Sequence, residues 1–130
     1  MIQHTSEWVA KAEGDYATAT RELAVGPDSN FDAVAFHAQQ CAEKYLKARL
    51  IEEGATFPKT HDLAAILDLL ISFEPGWDTL RAELERLTDR AVEVRYPGYT
   101  ADLADAEQSL QTARKVRQLV RASLGLPAGP

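Results

Sequence analysis

Cysteine is nearly absent from this sequence. Cys41 stands alone among 130 residues, so no internal disulfide can form. A lone thiol suits a reducing compartment, and a cytoplasmic location is the expectation that follows. Because Cys41 sits in an apolar stripe, it reads as a small core side chain before it reads as a reactive thiol. No uninterrupted apolar run approaches the ~20 residues that a membrane span needs, so no membrane association is expected. Met1 to Tyr16 lacks a basic stretch followed by an apolar one, so no signal peptide is expected either. There is no glycine-rich phosphate loop and no G-x-S-x-G elbow. The three histidines, His4, His37 and His61, have no short spacing, so neither a metal nor a cofactor is expected. Positive charge is scarce as well: 14 Lys and Arg face 20 Asp and Glu, for a net charge of −6. That balance argues against sequence-blind coating of nucleic acid, which depends on neutralising phosphates, but it permits a local basic site.

What the sequence does contain is helical periodicity. The central stretch, Phe31 to Leu50, places Phe31, Val34, Ala35, Ala38, Cys41, Ala42, Tyr45 and Leu46 at the spacing of one helix face, uninterrupted by Gly or Pro. This helix runs to about Glu53 and exits at Gly54, with Ser29 or Asn30 as its cap. Before it, Thr5 or Ser6 can cap a helix striped by Trp8, Ala12, Tyr16, Ala19 and Leu23. After it, Thr60 or Asp62 starts a third helix that buries Leu63, Ile66, Leu67, Leu70 and Ile71. Asp78 can cap a fourth, with a clean stripe at Leu80, Leu84, Leu87, Ala91 and Val94. Thr100 caps a fifth, striped by Leu103, Ala106, Leu110, Ala113, Val116 and Val120. Strand alternation is missing, which makes the chain an all-α bundle of about five helices in a single domain. That domain covers residues 1–124, followed by a flexible C-terminal tail at 125–130.

Three pieces of the chain resemble the HEPN family (higher eukaryotes and prokaryotes nucleotide-binding domain). They are Phe36-His37-Ala38-Gln39-Gln40-Cys41-Ala42-Glu43-Lys44 with Lys47-Ala48, then Gly54 with Phe57-Pro58-Lys59-Thr60-His61-Asp62-Leu63, and finally Arg95-Tyr96-Pro97. The resemblance implies an up-and-down bundle that dimerises, with a polar cleft near the dimer interface. It also implies binding of nucleotides or RNA, and partnership with a small nucleotidyltransferase-like protein in a toxin–antitoxin pair. Active members are metal-independent ribonucleases that carry an Arg, four to six residues, then a His. Here Arg90 is followed after four residues by Arg95, where the pattern asks for His. Arginine stays protonated and cannot act as general acid or base near neutral pH, whereas two guanidinium groups can still hold phosphate oxygens.

The candidate site residues follow from this. Arg90 and Arg95 are the phosphate-holding pair, Arg90 also being the one catalytic candidate. They lie about 140° apart on an ideal helical wheel, so convergence needs the helix to end before Arg95, as Pro97 permits, or a second subunit to contribute. Their ordinary role would be pairing with Asp89 and Glu93. Tyr96, with Tyr99 nearby, can stack on a base or merely close a loop. His37, Gln40 and Lys44 form one row on the second helix. Lys59 and His61 flank Thr60 at a helix start, where backbone N–H groups favour anions. Three functions stay open: a nucleotide- or RNA-binding module with a degenerate nuclease motif, an active endoribonuclease toxin that draws a base from His37, His61 or Tyr96, and a non-binding scaffold dimer.

Overall fold

The computed structural model describes residues 1–129; Pro130, the last residue of the expected tail, lies outside the described residues. Five α-helices follow one another: α1 (Gln3–Ala24), α2 (Phe31–Glu52), α3 (Leu63–Leu70), α4 (Arg81–Glu93) and α5 (Leu103–Ser123). A 3₁₀ turn, Pro75–Leu80, leads into α4. Among the described residues there is no strand, and no helix is long and apolar enough to cross a membrane.

The bundle is built around α2, which packs against all four other helices. Its sequence explains why. Thirteen of its 22 residues are buried, spread around the whole circumference, and they include Gln39, Glu43, Lys47 and Arg49. A helix covered on every side cannot be cleanly amphipathic. Small residues (Ala35, Ala38, Cys41, Ala42, Ala48) let neighbours approach, while Tyr45, Leu46 and Leu50 fill the spaces between them, all fully buried. The main core joins these residues, Ala35 excepted, to Leu63, Ile66, Leu67 and Leu70 of α3, Leu84 and Leu87 of α4, and Ala113, Val116 and Val120 of α5. A smaller cluster of Ala19, Val34, Ala106 and Leu110 fills one end between α1, α2 and α5. The Cys41 thiol is buried in the main core, and burial pushes its pKa far above the usual thiol range.

Several helix ends follow the sequence. Asn30 caps α2 by accepting the Ala33 N–H, Gly54 exits it with φ +71°, and Asp62 caps α3 by accepting from Ala64 and Ala65. Others depart from expectation. The first helix begins at Gln3, and Thr5, offered as a cap, is buried inside it. The Asp78 carboxylate takes the Arg81 guanidinium instead of capping, because Pro75-Gly76 winds the chain into the 3₁₀ turn first. Thr100 gives way to Asp102, which forms a reciprocal capping box with Asp105 at the start of α5.

Polar ties lock the helices together. Arg117 of α5 grips Glu13 of α1 through two bonds (2.7 and 3.0 Å), and the Tyr45 hydroxyl of α2 donates to the same carboxylate. The Arg117 bond, aided by Tyr45, holds the Glu13 carboxyl below its usual pKa against the opposing effect of burial. Where a flexible tail is expected, residues 125–129 carry contacts. Leu126 packs on the core, and the carbonyls of Pro127 and Ala128 accept from Arg121 (2.6 Å) and Arg117 (2.9 Å).

Candidate functional site

Arg90 sits in the last turn of α4, where a cation complements the helix dipole. Its Nη1 donates to the Tyr99 hydroxyl at 2.5 Å and lies 2.5 Å from Asp105 Oδ1. Tyr99 reaches it because the chain reverses at Pro97-Gly98, with Gly98 at φ +97°. The Tyr99 hydroxyl also donates to Asp105 Oδ2 at 3.2 Å. Burial would raise the Asp105 pKa, but the Asp102 N–H and the Arg90 charge hold it below its usual value. The expected pairing of Arg90 with Asp89 and Glu93 is replaced by this contact across to α5.

The helix ends at Glu93, before Arg95, as convergence of the two guanidiniums required. They nonetheless part company. Arg95 turns toward α2 and lies over the Phe36 ring, 5.4 Å from its centroid, while Arg90 turns toward α5. Arg95 enters no ion pair among the described residues. Arg90 lines a crevice with Arg86, Gln108 and Thr112 that is too narrow to hold a ligand, and Arg95 has no part in it. Tyr96 is exposed at the turn.

The α2 row behaves differently from its sequence reading. His37 and Lys44 both reach Asp15 of α1, His37 Nδ1 at 2.8 Å from Oδ1 and Lys44 Nζ at 2.6 Å from Oδ2. Phe36 meets His37 edge-on, with ring centroids 5.3 Å apart. A continuous strip therefore runs Arg95, Phe36, His37, Asp15, Lys44, and it contains three of the predicted site residues. Gln40 instead donates to Gln39 at 2.8 Å. Sequence reading missed Asp15. The available signal was that Lys11 and Asp15 fall four apart, one row beside the apolar stripe of α1.

The third group surrounds Glu43, a buried carboxylate on α2. It accepts from Lys47 (3.0 Å) and Gln39 (3.1 Å) and lies 2.9 Å from His61 Nδ1. Burial pushes its pKa up, but His61, Gln39 and Lys47 together outweigh that and hold it below its usual value. Gln39 and Lys47 also donate to the carbonyls of His61 and Thr60, which pins the α2–α3 loop. The α3 N-terminus is not an open anion site, since Asp62 occupies its N–H groups. Lys59 and His61 instead line a cavity of about 510 Å³ with Trp8, Lys47 and Phe57. Apart from Tyr96, which is exposed at the turn, the predicted residues fall into three groups: Arg90 alone, the strip of Arg95, His37 and Lys44, and the loop pair Lys59 and His61.

Comparison with known proteins gives the frame for this geometry. The chain superposes on the crystal structure of TT1696 from Thermus thermophilus with a TM-score of 0.81, at 20% identity, covering 93% of this chain and 98% of that one. At that identity the likeness shows the fold alone. A search of curated proteins finds no match. The family model of the HEPN domain matches residues 5–123, nearly the whole chain, and the protein belongs to the HEPN domain family.

Proposed function

We propose that this protein is a nucleotide- or RNA-binding module rather than an efficient nuclease. The observation that carries this reading is the set of groups around Arg90, a phenol and a carboxylate with no imidazole in contact. Without a group that exchanges its proton near neutral pH, Arg90 can hold phosphate but has no partner for in-line cleavage. Phosphate binding falls to the strip where Arg95 is unpaired and exposed, with Lys44 and His37 further along it and Tyr96 near its end. Family membership supports the remaining parts of the reading: a homodimer in the cytoplasm, paired with a small nucleotidyltransferase-like protein in a toxin–antitoxin-like system.

A second reading has its own observation. Asp15 orients His37 through Nδ1 at 2.8 Å, the arrangement in which a carboxylate fixes the tautomer of a working imidazole. On that reading the protein is a metal-independent endoribonuclease with His37 as its base. Labelled single-stranded RNA incubated in EDTA separates the two. Binding without cleavage, weakened in Arg95→Ala, supports the module. Cleavage abolished by His37→Gln and by Asp15→Asn supports the nuclease, and no binding at all leaves the scaffold dimer. Size-exclusion chromatography and co-purification with a co-expressed nucleotidyltransferase test the assembly.

A further inference from the structure

Helices α1 and α5 both pack on α2 but scarcely on each other, which leaves a groove between them. Tyr16 bridges it: the Arg117 guanidinium lies 4.5 Å from its ring centroid, and Arg114 Nε donates to its hydroxyl at 3.2 Å. The C-terminal segment enters this groove from the end of α5. Gly125 turns the chain at φ +75°, and the Leu126 N–H donates back to the Arg121 carbonyl at 2.8 Å. From there the segment runs antiparallel to α5. The Pro127 carbonyl accepts from Arg121, and the Ala128 carbonyl from Arg117, one helical turn closer to the start of α5. Gly129 follows so closely that a Cβ on it would stand 2.9 Å from Arg117 Nη2.

The two arginines serve the tail as readers of main chain. The Arg117 charge is matched by Glu13, and Arg121 lies 3.9 Å from the same carboxylate. What remains is N–H donation to successive carbonyl oxygens, groups that every extended peptide carries. The groove also continues past the tail. Glu13 of α1 faces Arg117 and Tyr16 faces Arg114, so the run from Glu13 to Arg21 follows the direction in which the tail points. Along that run, beyond Arg117, lies a hollow of about 400 Å³ walled by Tyr16, Ala17, Thr20 and Arg21. Glu13 at its near end is already neutralised by Arg117. Arg21 at its far end is exposed and enters no ion pair among the described residues, and the same holds for Arg114 across from it. The unfilled end of the groove therefore carries two unmatched cations in a chain of net charge −6.

We propose that the α1–α5 groove docks an extended acidic segment of a partner protein, with residues 125–129 as a built-in competitor. The partner's carbonyls replace those of Pro127 and Ala128 on Arg121 and Arg117. An acidic side chain three to four residues further on meets Arg21, since the eight residues from Glu13 to Arg21 rise about 12 Å. The tethered tail competes at high local concentration, so the intact chain binds such a segment weakly until the tail lifts. None of this rests on the binding-module reading, and none of these residues belongs to the Arg95 strip.

Fluorescence anisotropy with the labelled peptide Leu-Pro-Ala-Gly-Pro-Glu-Glu tests it. The full chain is compared with Leu126→Asp, which withdraws the tail's anchor in the core, and with a chain whose residues 126–129 are replaced by Gly and Ser. Circular dichroism checks the fold of each, and the second variant decides where the first fails to fold. Saturable binding at least about tenfold tighter in the tail-released chain is expected, falling about tenfold in Arg21→Ala. A peptide ending in Lys-Lys should bind at least about tenfold more weakly than the acidic one. No saturable binding to a folded, tail-released chain overturns the proposal, and so does equal affinity with the tail docked or released. Equal binding of the Lys-Lys peptide overturns the acidic partner. Tail-released chain that takes up labelled single-stranded RNA through Arg21 but not the peptide overturns it too, and assigns the groove to nucleic acid. Concentration-dependent self-association of the full chain, abolished by the Gly and Ser replacement, overturns it in favour of tail exchange between two copies.

Discussion

The Arg90 guanidinium and the Tyr99 hydroxyl are joined at 2.5 Å across the turn that separates α4 from α5, and Asp105 accepts from both. Three local devices produce this contact: the cationic last turn of α4, the positive φ of Gly98, and the capping box that fixes the Asp105 carboxylate. A phosphate reaching Arg90 must therefore compete with a carboxylate already in place. Arg95, which enters no ion pair among the described residues, faces no such competitor.

The two ends of that contact should respond unequally to mutation. Arg90 and Asp105 are partly exposed, so the ion pair itself contributes at most about 1 kcal/mol. Asp105 additionally accepts the Asp102 N–H as the N3 half of the capping box, a hydrogen bond worth about 1 kcal/mol more. Asp105→Ala is expected to lower stability by about 1–2 kcal/mol in urea denaturation and Arg90→Ala by less than about 1. Equal losses would deny Asp105 its capping role.

Acid sensitivity follows from Glu43. Its folded pKa lies below the ordinary glutamate value, so its contribution is complete above about pH 4.3 and is lost as pH falls through the lower folded value. Glu13 shifts in the same direction and adds to the same limb. Glu43→Gln keeps the shape but leaves Lys47 buried without its counter-charge, at a cost of about 3–5 kcal/mol at pH 7. Urea midpoints collected from pH 3 to 7 should show a flatter acid limb in Glu43→Gln than in the wild type. An unchanged slope would place the acid-sensitive group elsewhere.

Much of this architecture is legible in the sequence because it is local. The Phe31 stripe, the caps at Asn30 and Asp62 and the exit at Gly54 each depend on residues within a turn of one another. The misread starts were decided by competing neighbours: Pro75-Gly76 ahead of Asp78, and the Asp102–Asp105 pair ahead of Thr100. The site was less legible because its contacts are distant in the chain. His37 and Lys44 were visible as a row, but their shared partner Asp15 lies 22 and 29 positions away on another helix. Arg90 and Arg95 are close in sequence, yet the end of α4 sends them to α5 and α2, which the wheel angle alone could not assign.

Leu87 tests the placement of the α4 stripe. It is 2% exposed and packed in the main core, with Leu84 one turn before it. Leu87→Asp buries a carboxylate without a partner, a cost of several kcal/mol that approaches the whole stability of a small domain. The expected result is loss of the cooperative thermal transition and of soluble yield. A soluble variant with normal melting would mean that this face of α4 is not where the core lies.

Two glycines should answer to alanine with opposite signs. Gly54 leaves α2 at φ +71°, and a Cβ built there meets nothing within 4 Å, so the penalty for a side chain is purely one of backbone conformation. The Gly54 N–H donates to the Ile51 carbonyl at 2.9 Å and the Ala55 N–H to the Leu50 carbonyl at 3.0 Å, so the turn cannot relax without losing the helix terminus. Gly54→Ala is expected to cost about 1–2 kcal/mol, and Gly54→Asn less, since asparagine tolerates the left-handed region better. Gly14 lies inside α1 with an ordinary helical φ and equally open space around its Cα. There alanine only removes freedom from the unfolded chain, and Gly14→Ala should stabilise by about 0.5–1 kcal/mol. Thermal melts of the two single variants should move in opposite directions from the wild type; a shift of the same sign in both would show that the environment of one glycine, not its backbone, governs the outcome.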